Sequence, residues 1–382
     1  MPSSNFAEAK VWRAAGGDGT RAGLWPQPVR LASSPAGRLE ATGAVQASVV
    51  FDAEGRAFVA DMAGGVQAFA PDGKRLWRTR LEGGISATPV VHPHEPRLYV
   101  ASHAGEARAL DTATGMTVWQ RSLSTRSDPR VLSDLLFLPG AQAVVLSSWG
   151  GRFLALDAGT GEARFTWDAG ASPGSAAATA GSGQVCYGLR AVDARGIELI
   201  EMTATGGERV LHTEPAGSRG ARRAVVAAAP IIDAVRGVVY ALCNRDREAR
   251  LVAWSIDAGR VLWACPLAHA VQATPALRAD GGLLLPDLGG GVSAVSTDGE
   301  LSFRLDCGAD YFLAGGVCDG DGGFYVGDPG GRLNVVGKTG SGRVGFEVER
   351  SFQARPSFGP DGRLYVPCTD RRVYIFGNAS AT

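Results

Sequence analysis

The chain has 382 residues, of which 45% are hydrophobic, and its 38 Lys and Arg residues balance its 38 Asp and Glu residues. A chain without net charge has no field that would concentrate a polyanion or an anionic bilayer, so we expect neither nucleic acid nor a membrane as a partner. No run of eighteen apolar residues exists, so no membrane-spanning helix is predicted.

The first ten residues, 1–10, lack the cationic start and the apolar stretch of a secretion signal. This N-terminus predicts a cytoplasmic protein. We assign residues 1–36 to an N-terminal extension and residues 37–382 to a single domain.

From residue 57 onward, short β-rich runs recur along the chain. There are eight of them: Ala57–Ala60, Leu98–Ala101, Val144–Leu146, Val185–Tyr187, Val238–Ala241, Leu283–Leu285, Phe324–Val326 and Leu364–Val366. Turn pairs such as Glu54-Gly55 and Asp361-Gly362 precede most of them, and a second Gly-rich turn follows, which is typical of tight hairpins. The repeating unit is therefore predicted to contain four strands.

An 11-residue element marks the end of each unit. It is clearest at Ala109–Trp119 and recurs at Ala155–Phe165 and Ala253–Trp263. Weaker copies keep only a turn glycine and a bulky apolar residue four places later. Equivalent third-strand positions are separated by 40 to 52 residues, about one four-stranded blade. The chain is therefore predicted to be all-β, an eight-bladed β-propeller of four-stranded antiparallel blades.

The last unit ends soon after Phe376 and lacks a fourth strand of its own. We expect an N-terminal strand at residues 38–42 to complete it and close the ring, with Leu39 in the place that tryptophan takes elsewhere. The alternative closing strand is residues 10–13. Either strand removes the exposed edges that favour aggregation.

The element A-x-D-x-x-T-G-x-x-x-W is similar to the repeat of the PQQ-like propeller superfamily, which includes quinoprotein alcohol dehydrogenases and BamB-like proteins. The Ala-Thr-Pro segments at 87–89 and 273–275 and the segment 12–23 also resemble parts of that family. The resemblance covers nearly the whole chain from about Arg38. It implies a rigid docking scaffold in which the tryptophan and the turn glycine pack blade against blade.

The same resemblance raises the question of a cofactor. Quinoprotein dehydrogenases of this superfamily are exported, bind calcium and hold pyrroloquinoline quinone (PQQ) against a disulfide between neighbouring cysteines. None of the six cysteines here adjoins another, and no acidic cluster marks a metal site. We therefore expect no cofactor and no metal, with PQQ as the alternative, and we expect the thiols to be buried.

The first candidate site is a ring of polar side chains at the channel. Aligned on the Ala-Thr-Pro segments, four units place Gln46, Ser86, Gln272 and Gln353 at one position. Their polar groups are expected at one height, where they could bind a polar ligand or order water. At the second hairpin, which we expect on the same face as these entering loops, Asp61, Asp287 and Asp328 occupy matching positions, where they could form an acidic sector or cap their hairpins.

The second candidate site consists of loops. Two long loops, 124–130 and 214–223, carry five arginines, among them Arg126, Arg222 and Arg223, together with Asp128. Asp310 and Tyr311 begin the seventh unit. Opposite the aspartates, these loops would form a surface with positive charge on one side and negative charge on the other. Such a surface would suit an acidic peptide, a protein partner or a carboxylated metabolite.

Together these features predict a monomeric, non-catalytic scaffold that binds a protein or peptide partner, or a small polar metabolite, through its loop-rich face. The five histidines form no nucleophile motif with any serine. The alternative is an enzyme with a pocket at the channel mouth. It would be either a PQQ-dependent oxidoreductase or a cofactor-free lyase or cyclase that uses Asp310, Tyr311 and the loop arginines on a small metabolite.

Overall fold

The structure is a computed structural model that describes residues 11–123, 128–170, 176–192, 196–215, 228–245 and 247–377. Within these ranges the chain forms thirty-two strands and one 3₁₀ turn, Pro139–Ala141. The strands form eight four-stranded sheets, each antiparallel, arranged as the blades of a ring. The prediction of an all-β, eight-bladed propeller is confirmed. No helix in the described part of the chain is long and apolar enough to cross a membrane.

Each blade contributes one strand to each of four concentric positions, and blades are numbered 1 to 8 by their innermost strands. The innermost strands are β2 (Val50–Phe51), β6 (Val90–Val91), β10 (Leu136–Leu138), β14 (Ala178–Thr179), β18 (Ile231–Asp233), β22 (Ala276–Leu277), β26 (Val317–Cys318) and β30 (Ser357–Phe358). The second strands are β3 (Ala57–Ala60), β7 (Arg97–Ala101), β11 (Ala143–Ser148), β15 (Val185–Val192), β19 (Val238–Arg245), β23 (Leu283–Pro286), β27 (Phe324–Gly327) and β31 (Leu364–Cys368). The third strands are β4 (Gly65–Phe69), β8 (Glu106–Asp111), β12 (Arg152–Asp157), β16 (Gly196–Thr203), β20 (Glu248–Ser255), β24 (Gly291–Val295), β28 (Arg332–Val336) and β32 (Arg372–Phe376). The outermost strands are β5 (Arg75–Arg80), β9 (Thr117–Ser122), β13 (Ala163–Asp168), β17 (Glu208–Pro215), β21 (Arg260–Leu267), β25 (Leu301–Asp306), β29 (Gly342–Glu347) and β1 (Gly37–Glu40).

The chain closes the ring with strand β1. It pairs antiparallel with β32, with Leu39 opposite Val373, and completes blade 8. Leu39 is buried, and its Cδ2 lies 3.8 Å from where a Cβ on the turn glycine Gly73 of blade 1 would stand. The predicted closing strand and the predicted packing of Leu39 are therefore confirmed. Residues 11–13, from the alternative closing strand, lie elsewhere.

At three of the seams between blades a tryptophan packs on the turn glycine of the next blade: Trp77 on Gly115, Trp119 on Gly161 and Trp263 on Gly299. Trp119 of blade 2 donates its indole N–H to the carbonyl of Ala158 in blade 3 (2.9 Å), and its ring covers the turn glycine Gly161. Gly161 has φ +74°, and an added Cβ would stand 2.5 Å from the ring atom Cε3. Between blades 3 and 4 the role is divided, because Phe165 covers the turn glycine while Trp167 donates to its carbonyl, at Gly206. The repeat motif thus encodes the seams between blades.

Residues 12–27, which we call the lead-in segment, lie across the end of the ring opposite the channel mouth. Their carbonyls accept the backbone N–H of one equivalent position, the second residue of the innermost strand, in six blades. The pairs are Trp12–Phe51, Arg13–Val91, Gly19–Thr179, Thr20–Ile232, Ala22–Leu277 and Gly23–Cys318, at 2.7 to 2.9 Å. The rings of Trp12 and Trp25 pack on Phe358 in blade 8. The lead-in segment therefore closes one end of the central channel.

The seams allow a matched test of the glycine and tryptophan contact. Gly161→Ala and Gly259→Ala change the same turn position in blades 3 and 5, and both glycines have positive φ. A Cβ on Gly259 meets nothing within 4 Å, so no ring covers that turn. Each variant loses about 1 kcal/mol to backbone strain. We expect Gly161→Ala to lose about 1–3 kcal/mol more from overpacking, measured by urea unfolding. Equal losses would contradict this account of the seam.

Candidate functional site: the central channel and its mouth

The loops that enter each blade and the second hairpins lie on one face, which we call the mouth. In blades 1, 2, 3 and 6 the second hairpin donates a backbone N–H to the entering loop of its own blade. The pairs are Met62–Ala44, His103–Gly84, Trp149–Arg130 and Leu288–Ala270, at 2.8 to 2.9 Å. The prediction that both features share one face is thus confirmed, and side chains from the entering loops converge on the channel.

An upper tier of side chains lines the channel four residues before each innermost strand. Gln46, Gln272 and Gln353 lie here, as the sequence predicts, and all three line one cavity of about 190 Å³. The Gln46 amide donates to Gln353 Oε1 at 2.7 Å. Leu132 and Leu313 take the same position in blades 3 and 7. The equivalent positions of blades 4 and 5 lie outside the described residues.

A lower tier lies two residues further along each entering segment. It contains Ser48, Thr88, Asp134, Thr274 and Arg355, which line the same cavity. Three of these side chains accept a backbone N–H from the preceding blade. Ser48 N–H donates to Thr88 Oγ1 at 3.1 Å, Thr88 N–H to Asp134 Oδ1 at 2.8 Å, and Ala229 N–H to Thr274 Oγ1 at 3.3 Å. Aspartate and arginine stand here in blades 3 and 8, where the Ala-Thr-Pro segments have threonine. The sequence therefore contained a signal for both residues, namely a charged side chain at a position where the aligned repeats have threonine.

Arg21 of the lead-in segment forms the closed end of the cavity. It is 1% exposed and has φ +56°, a left-handed conformation that is uncommon for residues other than glycine. Nε donates to Ala177 O, and Nη2 donates to the carbonyls of Asp134 and Leu135, both at 3.1 Å. Nη1 has no hydrogen-bond acceptor among the described residues and lies 3.8 Å from Asp134 Oδ2. Burial lowers the pKa of Arg21, and Asp134 opposes that shift.

Arg355 lies beside Arg21 and is also buried, at 7% exposed. Its guanidinium donates only to carbonyls, those of Gly316 (2.8 Å), Arg21 (3.1 Å) and Pro275 (3.0 Å). Burial lowers its pKa to about 10, so the side chain stays charged at neutral pH. In the part of the chain that the structure describes, the cavity is therefore lined by two cationic side chains and one carboxylate, that of Asp134.

At the rim of the mouth, Ser86 Oγ and His103 Nε2 are 2.7 Å apart. Burial, and then the charge of Arg130, lower the pKa of His103. Arg130 forms an ion pair with Asp128 (2.6 Å) and lies over the ring of Trp149, 5.1 Å from its centroid. The sequence placed Ser86 in the ring but did not predict its histidine partner, because that contact depends on how a hairpin folds back on its own entering loop.

The three aspartates of the second hairpins do not form an acidic sector. Asp61, Asp287 and Asp328 are buried, and each carboxylate accepts backbone N–H groups within its own hairpin. Asp287 and Asp328 also pair with Arg304 and Arg332. The carboxylates therefore cap their hairpins. The expected surface with charges of both signs does not form around them, because these carboxylates are buried.

Of the remaining predicted residues, two lie in the part of the chain that the structure describes and three do not. Asp310 and Tyr311 are exposed where the chain enters blade 7. Arg126, Arg222 and Arg223 lie outside the described residues. Within the described ranges, no three His, Cys, Asp or Glu side chains are grouped so that they could hold a metal ion.

Comparisons with known proteins agree with this architecture. The family model described as outer membrane protein assembly factor BamB matches residues 8–164 and 62–285. The crystal structure of BamB from Moraxella catarrhalis superposes with a TM-score of 0.70 at 16% identity, over 91% of this chain and 98% of that one. The computationally designed Ika8 protein superposes with a TM-score of 0.67 at 12% identity, over 90% of this chain and 99% of that one. No curated protein sequence matches the chain. At these identities the structural matches support the fold alone.

The rim makes a testable prediction about proton binding. We expect His103 to titrate below 6.5 in histidine NMR spectra, with its resonance assigned from a His103→Gln variant. Since the unfolded chain then binds the proton more tightly, the stability that His103 contributes is present above pH 6.5 and lost as pH falls through the folded pKa. Arg130→Ala should raise the midpoint and Arg130→Lys should leave it low. If the titration midpoint of His103 were the same in the Arg130→Ala and Arg130→Lys variants, this arrangement would be contradicted.

Proposed function

This chain belongs to the PQQ-like propeller family described by the outer membrane protein assembly factor BamB, and from that premise we propose a non-catalytic β-propeller scaffold that binds a protein or peptide partner through its mouth. The family description names an assembly factor, which favours a protein partner. The cytoplasmic location and the monomeric state stay predictions.

The observation that carries the proposal is the exposed aromatic character of the mouth. Trp149 is 43% exposed in blade 3, with Arg130 lying over its ring. Tyr311 is 38% exposed in blade 7, next to exposed Leu313. Tryptophan, tyrosine and arginine are the residues that most often dominate binding energy at protein interfaces.

The positions of these residues favour a large partner. Blades 3 and 7 lie opposite each other in a ring of eight, so a ligand that contacts both Trp149 and Tyr311 must span the mouth. A peptide or a folded domain can do so. Asp128 holds Arg130 in place, which reduces the entropy that this side chain would lose on binding.

We further propose that the cavity holds no quinone cofactor. Its volume of about 190 Å³ is below the roughly 300 Å³ at which pockets for drug-sized ligands begin. No aromatic side chain of the described residues lines it, so a planar quinone would find no ring there on which to stack. All six cysteines are free thiols, and none provides a disulfide.

The mouth can be tested with paired variants. Trp149→Ala and Tyr311→Ala should each weaken partner binding about thirtyfold, as expected for residues that contribute about 2 kcal/mol. Met116→Ala and Leu301→Ala are the controls, because these side chains are 71% and 51% exposed but lie in an outer turn and an outermost strand. The measurement is affinity for the co-purifying partner, by calorimetry. The proposal would be contradicted if the control variants lost affinity for the partner, or if the mouth variants kept theirs.

A second candidate, an enzyme without cofactor at the mouth, is favoured by the contact between Ser86 and His103. A fluorophosphonate probe tests it: Ser86 Oγ would attack phosphorus, fluoride would leave, and His103 would take the hydroxyl proton. The scaffold proposal predicts that mass spectrometry finds Ser86 unlabelled. Labelling that disappears in both Ser86→Ala and His103→Gln would support the enzyme instead.

A further inference from the structure

The closed end of the channel carries an excess of positive charge. The guanidinium groups of Arg21 and Arg355 are both buried, and among the described residues the only carboxylate that lines the cavity with them is Asp134. Water cannot easily screen these charges, and an uncompensated buried charge is costly. In blades 4 and 5 the lower tier has Ala176 and Ala229, which supply no second acid.

Arg21 has hydrogen-bonding capacity that the described residues do not use. Nε and Nη2 donate to carbonyls, but Nη1 has no acceptor, and its distance of 3.8 Å to Asp134 Oδ2 is too long for a hydrogen bond. The backbone of Arg21 is also held in the left-handed region, at φ +56°. Strained backbone and an unsatisfied buried donor at one residue together point to a ligand site.

The remaining lining indicates what kind of anion fits. The three glutamine amides and the hydroxyls of the lower tier are neutral donors and acceptors, suited to hydroxyl or amide groups. One negative charge would balance the excess of one cation. A phosphate dianion would exceed it and meet the carboxylate of Asp134.

We propose that the channel cavity binds a small carboxylate monoanion that also carries hydroxyl or amide groups. Its carboxylate accepts a hydrogen bond from Arg21 Nη1, and its neutral groups contact Gln46, Gln272 and Gln353. The carboxylate belongs either to a free acid or to the C-terminal residue of a peptide inserted through the mouth. The site stands independently of the proposed docking function, since the four residues that would contact the ligand, Arg21, Gln46, Gln272 and Gln353, are not among the exposed side chains of the mouth.

Calorimetry with defined probes tests the site. Glycolate represents a free acid, N-acetylglycine a chain terminus, and N-acetylglycinamide the matched uncharged compound. We expect binding of at least one carboxylate, with N-acetylglycinamide and inorganic phosphate at least about tenfold weaker. Binding of N-acetylglycine and N-acetyl-triglycine identifies a chain terminus, whereas binding of glycolate alone identifies a free acid. No carboxylate binding, or equal binding of the amide, would overturn the proposal.

Two variants separate the ligand contact from a structural role. Arg21→Met should weaken carboxylate binding at least about tenfold. Because that variant also removes buried contacts, Asp134→Asn provides a test that misfolding cannot imitate: it removes the opposing charge, keeps an acceptor for Thr88 N–H, and should tighten binding about tenfold. Asp298→Asn, in an exposed outer turn, makes the same charge change away from the channel and should alter nothing. Unchanged or weaker binding in Asp134→Asn would overturn the site while leaving the rim variants interpretable.

Discussion

The fold depends on how eight converging blades satisfy the inner edge of their innermost strands. In six blades the same backbone N–H, on the second residue of that strand, donates to a carbonyl of the lead-in segment. The two other blades are contacted by side chains, with Arg21 bonded to carbonyls of blade 3 and Trp12 packed on blade 8. One short segment thereby fixes the inner end of every blade, and it converts a channel through the ring into a cavity with one mouth. The position of Arg21 follows from this arrangement.

The sequence predicted the features that the repeat encodes directly. The blade count, the shared face of loops and hairpins, and the closing strand with Leu39 all follow from local spacing and turn residues. The glutamines of the upper tier were also predicted, because the Ala-Thr-Pro alignment places them at one height. Periodicity is sufficient for these features since neighbouring blades repeat the same contacts.

The other parts of the site could not be predicted in the same way. Arg21 contacts residues more than 110 positions away, and its glycine-rich surroundings resemble an ordinary turn in sequence. An aspartate in a hairpin can cap the turn or face solvent, and only the folded geometry showed that Asp61, Asp287 and Asp328 cap. Asp134 and Arg355 do depart from the repeat, but a departure becomes informative only when the tier that it interrupts is known to line a cavity. The charged blade residues that line the cavity, Asp134 and Arg355, are therefore those that depart from the repeat.

The early residues of the chain find their partners last. Strand β1 pairs with residues 372–375, and the lead-in segment packs on strands as distant as residue 358. At ribosomal speed, the nascent chain therefore keeps both segments unsatisfied for on the order of twenty seconds or more before the final blade emerges. Blades made in the meantime can stack only as an open arc with bare inner edges. During biosynthesis the ring therefore closes well after the first hairpins form. The exposed strand edges of the early blades most need protection by chaperones during that interval.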